Sequence, residues 1–237
     1  MGGYKLSRKE IAMENAVGIL VSLAFVFLAI GLSTLLTKFN ILKDEGSRKF
    51  IHIVVSNWWI IAIIFFRNPI YASIVPLLFI IVNYISYKKQ VFKAMERDGG
   101  LKDLGTVYYA ISLFILSLIT FNGDKTPYIG LMGILAMGYG DGFAAVVGVR
   151  YGKHEFKILG YKKSLEGTLT MFLICSALAY VIMMVLGINN SFGISVILGL
   201  VATAAELLTP MGFDNITVPL ITSGVFYYLT KGLTIWW

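Results

Sequence analysis

The chain has little of what a soluble catalytic domain is built from. Among 237 residues it carries one cysteine, two histidines, five prolines and only 14% charged residues. A single cysteine, Cys175 in an apolar run, excludes an internal disulfide. Two histidines and one cysteine are too few ligands for a structural zinc site. There is no GxxxxGK[ST] run after a strand, no HExxH and no Ser–His–Asp order, so P-loop, zincin and serine-hydrolase chemistries have no footing. Acidic residues are also scarce, 13 against 20 basic, which gives a net charge of +7 and a pI near 9.4. In a soluble protein that balance suggests nucleic acid. Here 57% of residues are hydrophobic and the mean hydropathy is +0.79, so lipid is the solvent and the basic loops face an anionic leaflet.

What the chain does have is long apolar runs, at about 16–37, 51–66, 69–87, 104–121, 127–149, 167–187, 192–209 and 216–236. Each approaches the roughly 20 residues a spanning helix needs, the second being short. The expected fold is therefore all-α: a polytopic integral membrane protein of about eight transmembrane helices, forming one domain over 1–237. Pro69 and Pro127 suit helix starts, and Pro76 suits a kink in the third span. The first run is long and lacks a small-residue cleavage site, so it reads as a retained span. Fourteen of the 20 basic residues fall in the loops after the first, third and fifth runs. That bias puts those loops in the cytoplasm and both termini outside. The membrane is then a prokaryotic cytoplasmic membrane, or one of ER type in a eukaryote.

With that topology the unusual polar groups gather on the cytoplasmic side: SRKFIH (47–52), DGGLKDLGT (98–106), GDG (140–142), KKSLEG (162–167), AELLTP (205–210) and GFDN (212–215). A transporter would place polar groups nearer mid-membrane. Asp141 is the most telling of them. It lies in the apolar stretch 127–149, where an ionised carboxylate is costly without a metal, a charge partner or water. Asp141, Ala144, Ala145, Gly148 and Gly152 share a helical face, a strip of small residues of the kind that packs helices. Lys162 and Lys163 precede Ser164, a candidate N-cap, and a helix N-terminus beside lysines suits phosphate. Glu166 suits either the helix dipole or a cation that bridges phosphates. Lys153 in the same loop reads as either an anchor or a phosphate contact, and His154 as solvated. Arg48 and His52 are four apart and share a helical face with Lys49 beside them. Glu206 ends an apolar run with no capping role, while Asp214, followed by Asn215, is either an N-cap or a site carboxylate. Carboxylates on several helices suit Mg²⁺ or Mn²⁺, and the basic residues suit a polyphosphate. Metal-assisted phosphoryl or nucleotidyl transfer to a lipidic acceptor is the chemistry these parts support.

GDGFAAVVGVRYGKHEFKILGYKKSLEGT (140–168) resembles the core of the membrane CTP-dependent lipid kinases, the dolichol kinase, phytol kinase and yeast-type diacylglycerol kinase group. That core runs as Asp, a small-residue helix, Gly–x–x–aromatic–Gly–Lys, then Lys–Ser/Thr–x–Glu/Ala–Gly. RKFIH (48–52), LGTVYYAIS (104–112) and AELLTPMGFDNITVPL (205–220) resemble its early, middle and late elements, so the likeness covers 47–220. It implies CTP as phosphate donor, Mg²⁺ (or Mn²⁺) as cofactor and a membrane lipid alcohol as acceptor: a polyprenol, phytol or a diacylglycerol. It implies catalytic roles for Asp141, His52 and Lys163. Nucleotide and phosphate contacts fall to Arg48, Lys49, Lys153, Lys162, Lys163, Ser164, Gly167 and Asn215, and metal contacts to Asp141, Glu166, Glu206 and Asp214. Phosphatidate cytidylyltransferases share the central Asp and Lys–Lys–Ser/Thr–x–Glu–Gly pieces. Their late Lys–Asp and His–Gly–Gly–x–x–Asp–Arg–x–Asp elements have no counterpart here. The other readings are thus cytidylyl transfer to phosphatidate and, from a different class, a small transporter or non-catalytic membrane protein. No nucleic acid is expected as a partner. The lipid and the oligomeric state stay open, since dolichol kinases carry many more spans than this chain.

Overall fold

The computed structural model describes residues 7–42, 45–89, 104–188, 191–210 and 212–231. Its helices follow the apolar runs. Helix α1 spans Arg8–Lys38 and opens on a capping box: Ser7 Oγ accepts from the Glu10 backbone N–H at 3.3 Å, and Glu10 Oε2 accepts from Ser7 N–H at 2.7 Å. Helices α2 (Glu45–Ser56) and α3 (Trp58–Phe65) form one rod interrupted at Asn57. The second span thus starts before the apolar run does and carries RKFIH as its first turns. Helix α4 (Pro69–Lys89) starts at Pro69 and holds Pro76 inside it. Helix α5 is Gly105–Thr120, and the part of DGGLKDLGT at 98–103 lies outside the described residues.

The central rod is composite. Helix α6 (Pro127–Leu135) leads into a π-helical turn (Ala136–Asp141) and then α7 (Gly142–Tyr151). A widened turn suits AMGYGD, where two glycines weaken the α-helix and leave no side chain towards neighbours. The space is used: a Cβ on Gly138 would collide with Ser56 of α2, and one on Gly140 would lie 2.8 Å from Met171 Sδ. Then come a two-stranded antiparallel hairpin, β1 (Glu155–Ile158) and β2 (Tyr161–Ser164), and helices α8 (Leu165–Val185), α9 (Ser191–Leu207) and α10 (Asp214–Thr230). The hairpin is the one departure from an all-helical chain among the described residues. Leu159 and Gly160, at φ 50° and 85°, turn it tightly.

The rod sits at the centre. Helices α2, α8 and α10 pack on it, α9 packs on α8 and α10, and α4 and α5 pair beside α10 and α1. Trp58, Trp59, Phe121 and Phe226 are fully buried, and Trp59 Nε1 donates to Pro127 O at 2.8 Å, fixing α3 to the start of α6. Large apolar side chains such as Leu28 and Phe192 are more than 70% exposed, an outer surface that only lipid makes tolerable. Five helical rods are long and apolar enough to cross a membrane: α1, α2–α3, α4, α6–α7 and α8. Helices α5 and α9 are apolar but shorter.

The glycines of the rod should be sensitive and those facing lipid should not. Gly140→Ala forces its methyl into Met171 and Cys175 and should lower stability by about 1–3 kcal/mol. Gly224→Ala in α10 meets nothing within 4 Å and should raise stability by about 0.5–1 kcal/mol. Thermal melts of the detergent-solubilised protein compare the two; equal shifts would refute the close packing of the π turn.

Candidate active site

Asp141 ends the π turn and is buried, at 4% exposure. Its carboxylate is paired with Lys49 Nζ, which α2 brings across from 92 residues earlier. The charge partner that an intramembrane aspartate requires is therefore Lys49. Arg48 and His52, on the same helix, are also buried and close enough to act electrostatically on Asp141. On the other side of the rod, β2 presents Lys163, whose amine pairs with buried Glu206 at the end of α9. Asp214, in the first turn of α10, is buried too, and the charges of Asp141, Glu206 and Asp214 act on one another. Two lysine–carboxylate pairs and a third carboxylate thus share one place.

That place is a cleft of about 730 Å³. Lys49, Asp141, Lys163, Ser164, Gly167, Glu206 and Asp214 line it, and the hairpin adds Glu155, Ile158 and Tyr161. Its floor is the strip of small residues on α7. Ala144, Ala145, Gly148 and Gly152 all line the cleft, and the strip also packs: a Cβ at Gly152 would reach Ser164 Oγ at 2.9 Å, and one at Gly167 would reach Ala144 O at 2.8 Å. Close helix packing and an open floor are the same device here. Ser164 is the N-cap of α8, its Oγ accepting from Gly167 N–H at 3.2 Å. The start of α8, with its outward N–H groups, therefore faces the cleft beside Lys163.

The remaining expected residues are distributed unevenly. In the hairpin, successive side chains alternate faces, so adjacent Lys162 and Lys163 diverge. Lys162 lines the cleft's outer wall, but its amine is exposed and pairs with Glu155 at 3.0 Å. Lys153 is exposed and not part of the lining. Glu166 accepts from His154, ring Nδ1 at 2.8 Å and backbone N–H at 3.3 Å, so it ties the loop before the hairpin to α8. His154, expected to be solvated, is exposed yet held by that contact. Asp214 does not cap α10; Phe213 occupies that position. Asp214 Oδ1 instead accepts from the backbone N–H and the Nδ2 of Asn215 at 2.9 and 2.8 Å. Buried Asn215 also donates to Gly212 O at 3.0 Å and so braces Asp214 rather than lining the cleft. Tyr109, which no sequence motif singles out, stacks on His52 with ring centroids 4.9 Å apart. It lies within the tyrosine-rich element 104–112, but nothing in that run marks one tyrosine above another.

Among the described residues no three His, Cys, Asp or Glu converge into a metal nest. Mg²⁺ does not require one. It takes one or two carboxylates and completes its shell with water and substrate phosphates, so Asp141, Glu206 and Asp214 around one cleft fit it.

Relatives are found among lipid kinases. The chain is 33% identical over 217 residues to phytol kinase of Synechocystis sp., covering 85% of this chain and 88% of that protein. It is 30% identical to a probable chloroplastic phytol kinase of Triticum aestivum, over 82% of this chain and 70% of the relative. It is 28% identical to dolichol kinase of Homo sapiens, over 73% of this chain and 36% of that longer protein. No protein-family model matches the chain, and no solved structure matches it.

Proposed function

The chain belongs to the membrane lipid-alcohol kinase family of phytol kinase and dolichol kinase, and on that premise we propose that it transfers the γ-phosphoryl group of CTP to the hydroxyl of a membrane alcohol of the phytol type. It is a phosphotransferase with an alcohol acceptor. The supporting observation is the pairing of Lys49 with Asp141 and Lys163 with Glu206 in one cleft. At rest each of the two lysines is compensated by its carboxylate. When a nucleotide enters, the two lysines can turn to phosphate oxygens, and the carboxylates they leave become available to a cation. Neither pair is left with a stranded charge in either state. The cleft thereby holds charge complementary to a nucleoside triphosphate with its metal.

The roles follow from position. Lys163 and the N–H groups at the start of α8 hold the transferring phosphate, and Lys49 balances the rest of the chain of phosphates, with buried Arg48 adding its charge from beside it on α2 without lining the cleft. Glu206 and Asp214 would hold Mg²⁺, which when bound neutralises charge on the phosphates. Asp141, paired with Lys49, orients the acceptor and takes its proton. The hydroxyl oxygen forms its bond to the γ-phosphorus as the bond from that phosphorus to the bridging oxygen breaks. CDP leaves with that electron pair, and the proton goes to Asp141. Glu166 and Asn215 act at one remove, the first on the 152–154 loop and the second on Asp214.

Purified protein, phytol and γ-labelled CTP should give labelled lipid phosphate, and EDTA should stop the reaction. Equal turnover in EDTA, or with no nucleotide preference for CTP over ATP, would contradict the donor and cofactor assigned here.

We also place the cleft on the cytoplasmic side, on the bias of basic residues. Lys157→Cys, exposed on the hairpin, should react with an impermeant maleimide only when the inner face is opened, while native Cys175 stays unlabelled because it is buried. Labelling from outside intact cells would reverse the topology.

A further inference from the structure

A second pocket lies across α2 from the cleft, between α1, α2–α3, α4 and α5. It is small, about 40 Å³, and its lining is apolar apart from a few polar groups. Two of these are Asn83, on α4, and Tyr109, on α5, both more than nine-tenths buried. Asn83 Nδ2 donates to Thr106 O at 3.1 Å. Among the described residues, Asn83 Oδ1 and Tyr109 Oη have no hydrogen-bond partner. An acceptor and a hydroxyl buried like this in an apolar pocket is a costly arrangement, which a ligand would relieve. His52 also lines this pocket, stacked on Tyr109, and sits one helical turn from Lys49, which lines the cleft. It is close enough to Asp141 to act on it electrostatically. Phe79, in the pocket wall, leans on Phe27 with ring centroids 5.9 Å apart, and Phe27 is half exposed on the lipid-facing surface. One aromatic contact therefore separates the pocket from the bilayer.

The geometry points to this pocket as the holding subsite of the acceptor: the hydroxyl end of a single-chain membrane alcohol enters from the bilayer past Phe27 and Phe79, and Asn83 Oδ1 and Tyr109 Oη hold its hydroxyl beside His52, one helical turn of α2 from Lys49, before it passes to Asp141 in the cleft for transfer. The inference rests on the kinase reading above and adds to it where the alcohol binds and which residues select it. A hydroxyl satisfies both orphans at once, donating to Asn83 Oδ1 and accepting from Tyr109 Oη. A carboxylate could only accept and an ammonium could only donate. The narrow apolar walls suit one chain. A diacylglycerol would bring two ester-linked chains next to its hydroxyl, and the pocket has no room for both.

Tyr109→Phe and Ala110→Phe test the assignment with phytol and CTP as probes, on the purified protein in bicelles. Tyr109→Phe removes an oxygen with no partner in the fold, so the melting temperature should hold while kcat/KM for phytol falls roughly 10-fold. Ala110→Phe fills the pocket and should raise the phytol KM by roughly 10-fold or more. In both, the KM for CTP should stay within about twofold of the parent. The parent should use 1,2-dioctanoylglycerol poorly. An active parent whose Tyr109→Phe variant keeps its phytol kinetics would overturn the subsite alone, as would dioctanoylglycerol used as well as phytol. A parent that phosphorylates no alcohol would overturn the kinase reading and the subsite with it.

Discussion

Asp141→Asn should lower kcat for lipid phosphorylation by at least about 100-fold, the contribution of a positioned acid–base carboxylate. The structure adds a second expectation that the sequence did not suggest. Asn cannot neutralise Lys49, which is buried against Asp141, so the variant should also lose stability. Removing one member of a buried ion pair costs about 3–5 kcal/mol, and the retained amide should soften that figure. The two losses can be separated. The double variant Lys49→Met/Asp141→Leu removes both charges and keeps comparable volume, so its melting temperature should recover towards the parent while it stays inactive. If Asp141→Asn turned over normally, Asp141 would be a packing residue whose task is to neutralise Lys49. If the double variant melted no higher than the single one, the ion pair would not be what the carboxylate contributes to the fold.

Lys163→Ala should weaken nucleotide use far more than Lys157→Ala. Both lysines lie in the same hairpin and each substitution removes one positive charge, so attraction to an anionic leaflet is matched. Only Lys163 reaches the cleft, where it pairs with Glu206 and sits beside the capped start of α8. Lys157 is exposed. A charge-assisted contact is worth about 1.5–3 kcal/mol, so the CTP KM should rise by about 10- to 150-fold in Lys163→Ala, with kcat falling too if the contact tightens on the transferring phosphate. Lys157→Ala should stay within about twofold. The Glu206 carboxylate loses its partner in Lys163→Ala, so a melt should accompany the kinetics. Lys163→Arg keeps the charge and should restore stability before it restores rate. Equal and small effects at both positions would move the phosphate site to Arg48 and Lys49.

How much of this could be read beforehand depended on range. Asp141 was legible because a carboxylate in an apolar run needs a reason wherever it occurs, and Ser164 because capping is a local property of a helix start. Arg48, Lys49 and His52 were legible as a group because helical spacing alone puts them together. Their partners were not. The pairing of Lys49 with Asp141 spans 92 positions and that of Lys163 with Glu206 spans 43, and no local rule selects one carboxylate over another. Lys162 and Lys163 looked equivalent before a helix. They differ because β2 alternates its faces, and that strand exists only because Leu159 and Gly160 reverse the chain. Glu166 fitted either of two local roles, and a contact with His154 twelve residues away took it up. Asn83 and Tyr109 lay unremarked inside apolar runs; their unmet hydrogen bonds appear only when four helices close around them.

The most direct measurement follows the two phosphorus atoms that distinguish the candidate reactions. Purified protein is given phytol, Mg²⁺ and CTP carrying different isotopes at the α and γ positions, and the extracted lipid is counted. Phosphoryl transfer should put γ label alone in the lipid and α label in released CDP, with both lost in Asp141→Asn. The α label in the lipid, with release of pyrophosphate, would mean cytidylyl transfer, and an unlabelled lipid would mean that the cleft between Lys49 and Lys163 does not transfer phosphate at all.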